Sequence, residues 1–92
     1  MLFKIAIMTV TGADRTGIIA QVTTALAELN VNIVDVSQTL MSGYFTMILR
    51  VELLDSETSI QKIQERMKPV EEETQQVIRI QSEDLFTAMN EI

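Results

Sequence analysis

One change of pattern constrains the fold of this 92-residue chain more than any other feature. Residues 3–10 alternate as in a β-strand, whereas from Ile18 onward the apolar residues recur at helical spacing. Between the two patterns lie Gly12 and Gly17, which permit a positive φ or a close approach that a Cβ would block. Residues 12–19, called the corner below, are therefore predicted to join a strand directly to a helix.

The helix after the corner has two candidate N-caps, Asp14 and Thr16, whose side-chain oxygens are of the type preferred at that position. The first N–H groups of a helix have no intrahelical partner, and the helix dipole adds a partial positive charge at the same end. The corner is therefore predicted to attract a carboxylate or another anion. The alternative is a purely structural turn, which needs the same glycines and the same cap.

Six segments alternate between strand and helix periodicity in the order β, α, β, β, α, β. The second helix is predicted to start at a cap, Asp55 or Ser56, and to end at Pro69. Three adjacent glutamates, 71–73, are expected to form a solvated loop rather than a cation site. The remaining predictions are strands over 3–10, 31–41, 44–53 and 77–81, a first helix over 18–30, and a last helix that begins at Ser82 and carries Leu85, Phe86, Met89 and Ile92.

This order of elements predicts one domain, residues 1–92, of the α+β class with the ferredoxin-like βαββαβ pattern. In that pattern two helices cover one face of an antiparallel sheet, and a C-terminal helix is added here. The first strand is apolar on both sides, so we expect it to be central, and the mixed second strand to be an edge. The other face of the sheet needs a cover, which is either the final helix or a second subunit.

The composition argues against several classes of function. The chain has no His and no Cys, so it lacks the most common general base, transition-metal ligand and thiolate nucleophile. We therefore expect no catalytic residues, no metal site, no cofactor and no enzyme activity. A net charge of −6 without a basic stripe argues against nucleic acid and membranes as partners. The absence of cysteine fits a cytoplasmic protein.

Several short motifs resemble the ACT domain family, in the same order and at similar spacing. Residues 14–19, Asp-Arg-Thr-Gly-Ile-Ile, resemble the Asp-Arg-Pro-Gly-Leu-Leu type of corner that follows the first strand of that family. Asn32 and Ile33 match the Asn-Ile pair at the start of its second strand. Residues 34–39 and 78–86 resemble the small stand-alone ACT proteins of bacteria and archaea, so the resemblance covers nearly the whole chain.

The resemblance implies a regulatory, allosteric module that binds a small molecule, often an amino acid, where the sheets of two subunits pair. It implies a homodimer or higher oligomer, and a regulated protein as a further partner. In the family the ligand contacts come from the corner and the start of the second strand. The matching positions here are Asp14, Arg15, Thr16, Gly17, Ile18, Ile19, Asn32 and Ile33, with backbone N–H groups of the corner on the ligand carboxylate. The alternative function is a protein-interaction module that binds no metabolite.

Overall fold

The computed structural model describes residues 4–84. Within that range the order of strands and helices is the predicted ferredoxin-like βαββαβ. The predicted C-terminal helix falls mainly on residues 85–92 and so lies outside the described residues. No helix between residues 4 and 84 is long and apolar enough to cross a membrane. The elements are β1 (Lys4–Ala13), α1 (Ile18–Glu28), β2 (Val31–Met41), β3 (Tyr44–Leu53), α2 (Ile60–Thr74) and β4 (Gln76–Ser82).

The strands form one antiparallel sheet in the order β2, β3, β1, β4. β1 is therefore a central strand and β2 an edge strand, as their apolar patterns predict. The register places Met41, Tyr44 and Ala13 side by side at one end of the sheet. Val31 and Leu53 pair at the opposite end. The corner follows β1 at the first of these ends, whereas β2 begins at the second.

A single hydrophobic core lies between one face of the sheet and both helices. β1 contributes Ala6, Met8 and Val10, which have no accessible surface, because alternate residues of a strand point to the same face. The helices bury residues that recur every three or four positions. The other main core residues are Phe45, Met47, Leu49 and Val51 in β3, Ile18, Val22, Ala25 and Leu26 in α1, and Ile63, Met67 and Val70 in α2.

Helix α2 begins later than the sequence suggests. Its N-cap is Ser59, whose Oγ accepts a hydrogen bond from the Lys62 N–H at 3.1 Å, so the prediction of a cap at Asp55 or Ser56 is wrong. Asp55 instead accepts from the Glu57 N–H at 2.9 Å within the preceding turn. All three residues are of cap-forming types, and the choice among them follows from where the first buried turn of the helix starts.

Helix α2 also continues past Pro69, which was predicted to end it, as far as Thr74. Proline removes one intrahelical hydrogen bond, the one to the carbonyl of Glu65. Beyond the proline, however, Val70 and Thr74 are buried, and the Thr74 hydroxyl donates to the Val70 carbonyl. Burial of the following turn thus offsets the lost bond. The helix ends at Gln75, which has a left-handed φ of 58°.

The three glutamates 71–73 lie in the last turns of α2 rather than in a loop, which corrects the prediction for this segment. Glu71 is half-buried, and its Oε2 accepts a hydrogen bond from the Ile78 N–H at 2.7 Å. β4 is an edge strand, so an N–H that faces away from β1 has no strand partner. Glu71 therefore satisfies a backbone donor of β4.

The position of the α2 cap yields a test of stability. Ser59→Ala removes the acceptor for the Lys62 N–H and should lower the free energy of unfolding by about 1 kcal/mol. In a domain of this size that corresponds to a fall in Tm of roughly 4–8 °C. Ser56→Ala is the matched control and should leave the Tm nearly unchanged. Equal losses in the two variants would contradict the cap assignment.

Candidate functional site

The corner is built by a glycine in a left-handed conformation. Gly17 has φ 91° and ψ 0° and occupies the N-cap position of α1, where no side chain bonds to the helix. Glycine adopts this conformation without the steric penalty of a Cβ. The predictions of Asp14 and Thr16 as N-caps are therefore wrong, because the residue at the cap position is the one that has no side chain. The first N–H groups of α1 consequently receive no side-chain cap.

Several backbone donors of the corner are unpaired. The N–H groups of Arg15, Thr16 and Gly17 donate to no acceptor within residues 4–84. The Asp14 N–H, by contrast, donates to the Gly43 carbonyl at 2.9 Å and ties the corner to the turn between β2 and β3. Helix α1 has no acidic residue in its first turn. This end of α1 thus combines free donors with the positive end of the helix dipole, the arrangement that binds anions.

The predicted site residues of the corner are adjacent in the structure but differ in solvent exposure. Asp14, Arg15 and Thr16 are exposed, and Ile19 is 43% exposed. Ile18 is 2% exposed and belongs to the core, so only its backbone is available to a ligand. The corner therefore offers a ligand the exposed side chains of Asp14, Arg15, Thr16 and Ile19 in addition to its main chain, whereas Ile18 offers its main chain alone.

The other two predicted site residues, Asn32 and Ile33, are not near the corner within one chain. Asn32 pairs with Glu52 on β3, whereas the residue that precedes the corner, Ala13, pairs with Tyr44. Eight strand residues separate these two levels of β3, a distance of roughly 26 Å at the usual rise per residue. A site that contains both segments therefore requires a second chain.

Two surface cavities flank the corner. One, of about 380 Å³, lies between α1 and α2 and includes Gln21 and Glu73 in its lining. The other, of about 430 Å³, lies at the end of the β2–β3 hairpin and includes Met41 and Tyr44. Neither is lined by residues 14–19. In a single chain the corner thus presents its donors on an open surface beside these cavities.

One residue of this region, Gln76 at the start of β4, is absent from the prediction. It is 4% exposed, and its Nε2 donates to the Ala13 carbonyl at 2.6 Å and to the Thr74 carbonyl at 3.3 Å. A Cβ on Gly12 would lie 2.7 to 2.9 Å from the atoms of the Gln76 amide, so the amide fits there only because Gly12 has no side chain. The alternation of β4 is the sequence signal that indicates its burial, because it places Gln76 on the same face of the strand as the buried Ile78 and Ile80.

The free edge of β2 carries apolar side chains that stand out of the core. Val36, Leu40 and Met41 are 53%, 58% and 68% exposed. Val34 also protrudes, at a register shift between Ile33 and Asp35. An edge strand with exposed apolar residues is a template for pairing with another strand. This edge is therefore open to pairing with another strand.

An ion pair lies on the sheet face opposite the helices. Arg50 Nε donates to Glu83 Oε1 at 2.7 Å. Arg50 in β3 and Gln81 in β4 both pair with Ile7 of β1. The contact between Arg50 and Glu83, two residues after Gln81, therefore crosses β1. The hydrogen bond from Arg50, reinforced by its charge, lowers the pKa of the Glu83 carboxyl. The same contact raises the pKa of Arg50. The ion pair links β3 to the residue that follows β4.

Comparisons with known proteins identify similar sequences and structures. A family model described as the ACT domain matches residues 4–81. A UPF0237 protein of Corynebacterium glutamicum is 67% identical over 87 residues, which cover 95% of this chain and 98% of that relative. Relatives of this kind are single-domain proteins found in bacteria and archaea.

Solved structures give the same result. An ACT domain protein from Streptococcus pneumoniae superposes with a TM-score of 0.77 at 36% identity, over 90% of this chain and 93% of that one. The ligand-free regulatory subunit of aspartate kinase from Thermus thermophilus superposes with a TM-score of 0.67 at 23% identity, over 87% of this chain and 53% of that one. The second likeness concerns the fold alone.

The Arg50–Glu83 pair predicts a defined pH dependence. Because the folded-state pKa of Glu83 is lowered, its contribution to stability is present above the unfolded pKa and is lost as pH falls through the folded pKa. Wild type should therefore be more stable than Arg50→Gln near neutral pH, and this advantage should shrink toward acid pH. The measurement is urea unfolding of both proteins across the acid range. Arg79→Gln, an exposed arginine of the same face, is the control without such a trend, and a pH-independent advantage would contradict the assignment.

Proposed function

Because this chain belongs to the ACT domain family, we propose that it is a regulatory protein that binds an amino acid or a similar small molecule as a homo-oligomer. The observation that carries this proposal is the set of unpaired N–H groups at Arg15, Thr16 and Gly17, at the positive end of α1. Bound ligand would act on a regulated protein. The proposal includes no catalytic activity and a cytoplasmic location.

The chemistry of the corner favours a carboxylate ligand. A carboxylate accepts hydrogen bonds from several N–H groups at once, and such charge-assisted bonds are stronger than neutral ones. Main-chain donors recognise the carboxylate that all amino acids share. Selection among amino acids then depends on side chains around the corner, of which Ile19 is exposed.

The homo-oligomer completes the site on this proposal. When two β2 edges pair antiparallel about a two-fold axis, the start of one β2 lies beside the end of the other. The end of β2 is at the level of Tyr44 and Ala13, next to the corner. Asn32 of one chain would thereby approach the corner of the other. The exposed Val36 and Leu40 on this edge support the same pairing.

The ligand itself is testable by thermal unfolding against a panel of the common amino acids. An amino acid present at about 100 times its Kd should stabilise the protein by about 2.7 kcal/mol. In a domain of this size the corresponding rise in Tm is roughly 10–20 °C. A rise with one or two amino acids would identify the ligand. If no amino acid changes the Tm, the proposal fails, and a protein-interaction module without a metabolite becomes the better account.

A mixing experiment tests whether two chains share the site. Gly17→Val places a bulky side chain at the corner, where a Cβ meets only the Gln21 amide, at 3.9 Å. Asn32→Ala removes the amide at the other end of the sheet. Each variant alone should bind the identified amino acid weakly, whereas an equimolar, re-equilibrated mixture should regain about one intact site in four in a two-fold dimer.

The controls are the two single variants, each treated in the same way without the other. Each should still bind the amino acid weakly. Circular dichroism before mixing checks that Gly17→Val is folded, since a β-branched residue at a positive φ is strained. Normal binding by Asn32→Ala alone, or a mixture that regains nothing, would contradict the shared site.

A further inference from the structure

We propose that Gln76 accepts a hydrogen bond from the amino group of the ligand, so that the corner recognises both the carboxylate and the ammonium group of an α-amino acid. This inference rests on the proposed function and adds to it a residue and a chemical requirement. It starts from an anomaly: the Gln76 side chain is almost fully buried, and its Oε1 has no hydrogen-bond partner within the described residues.

The orientation of the amide follows from its neighbours. Nε2 donates to two carbonyls, those of Ala13 and Thr74, so the nitrogen must face them and Oε1 must point elsewhere. Oε1 is the atom nearest to the position of an absent Cβ on Gly12, at 2.7 Å. The acceptor thus lies against Gly12, near the C-terminal end of β1, where the corner begins.

A buried acceptor without a donor is rare in native proteins, because removing it from water has a cost that a hydrogen bond normally offsets. Here the acceptor lies against Gly12, three residues before Arg15, and Arg15, Thr16 and Gly17 have N–H groups that are unpaired within the described residues. Free N–H groups complement a carboxylate, and a carbonyl oxygen complements an ammonium group. Together they match the two charged groups that an α-amino acid carries on one carbon.

Access to Oε1 requires a displacement of the corner. Besides the bond that the Gly17 carbonyl accepts from the Gln21 N–H in the first turn of α1, the segment from Asp14 to Gly17 makes one backbone hydrogen bond to the rest of the described chain, from the Asp14 N–H to the Gly43 carbonyl. Gly12 places no side chain between the amide and this segment. A ligand that displaces the segment would therefore meet the acceptor directly, and the energetic cost of the unpaired atom would be relieved on binding.

The test compares amino acids with the same acids lacking the amino group: glycine with acetate, L-alanine with propionate, L-valine with isovalerate and L-leucine with isocaproate. For the pair whose amino acid binds, wild type should prefer the amino acid by roughly tenfold or more, as expected for one charge-assisted hydrogen bond. Gln76→Met should remove this preference. Because the variant also loses the hydrogen bond to the Ala13 carbonyl, both ligands should bind more weakly, but the affinity for the amino acid should fall about tenfold further than the affinity for the acid without an amino group.

Gln81→Met is the matched control. Gln81 lies in the same strand and also has an unpartnered Oε1, but it pairs with Ile7, five residues along β1 from Gly12. This variant should keep the preference of wild type. If Gln76→Met is unfolded, the side-chain amide signal of Gln76 in the NMR spectrum of wild type gives the answer: it should shift with the amino acid and not with the matched acid.

The outcomes separate this inference from the proposed function. If wild type binds an amino acid and Gln76→Met keeps the preference, or the amide signal does not respond, the role of Gln76 is refuted and the proposed function stands. A loss of preference in both glutamine variants also refutes a specific role for Gln76. If wild type binds no amino acid, the proposed function fails and this inference fails with it.

Discussion

The hydrogen bond from the Gln76 amide to the Ala13 carbonyl connects parts of the chain that are far apart in sequence. It joins the end of β1, where the corner begins, to the start of β4, and the same amide reaches the Thr74 carbonyl at the end of α2. The contact exists only because Gly12 has no Cβ. The corner therefore takes its position from the packing of β4 and α2 against β1 as well as from its own residues.

The order and type of the elements could be predicted from the sequence because burial imposes its own period on each of them. Alternation along β1 and β3 and the three-to-four spacing in α1 correspond to faces that are buried against one core. The boundaries of α2 could not be predicted in this way. Asp55, Ser56 and Ser59 are equivalent as local cap signals, and Pro69 is a local stop signal. The helix continues past Pro69 because Val70 and Thr74 are buried, and their burial depends on the sheet beneath them.

The candidate site likewise contains residues that local sequence signals could predict and residues whose position depends on the overall topology. Gly17 marks the corner in the sequence because its left-handed conformation is a local requirement. Gln76 could not be predicted to lie there, since it is 63 residues from Ala13 and reaches it only through the pairing of β4 with β1. The position of Asn32 likewise depends on topology: β2 begins at the end of the sheet away from the corner, which a motif alone does not reveal.

This separation bears on regulation. If one ligand contacts the corner of one chain and Asn32 of another, ligand binding and association of the β2 edges are linked equilibria. Each must then favour the other by the same factor, because the coupling free energy belongs to the pair of events. A chain of this size has few internal elements that can move against each other, so on the proposed function the equilibrium between separate and paired edges would be the natural two-state element. A regulated protein would then respond to the exposed or paired state of β2, and the ligand would change the population of those states.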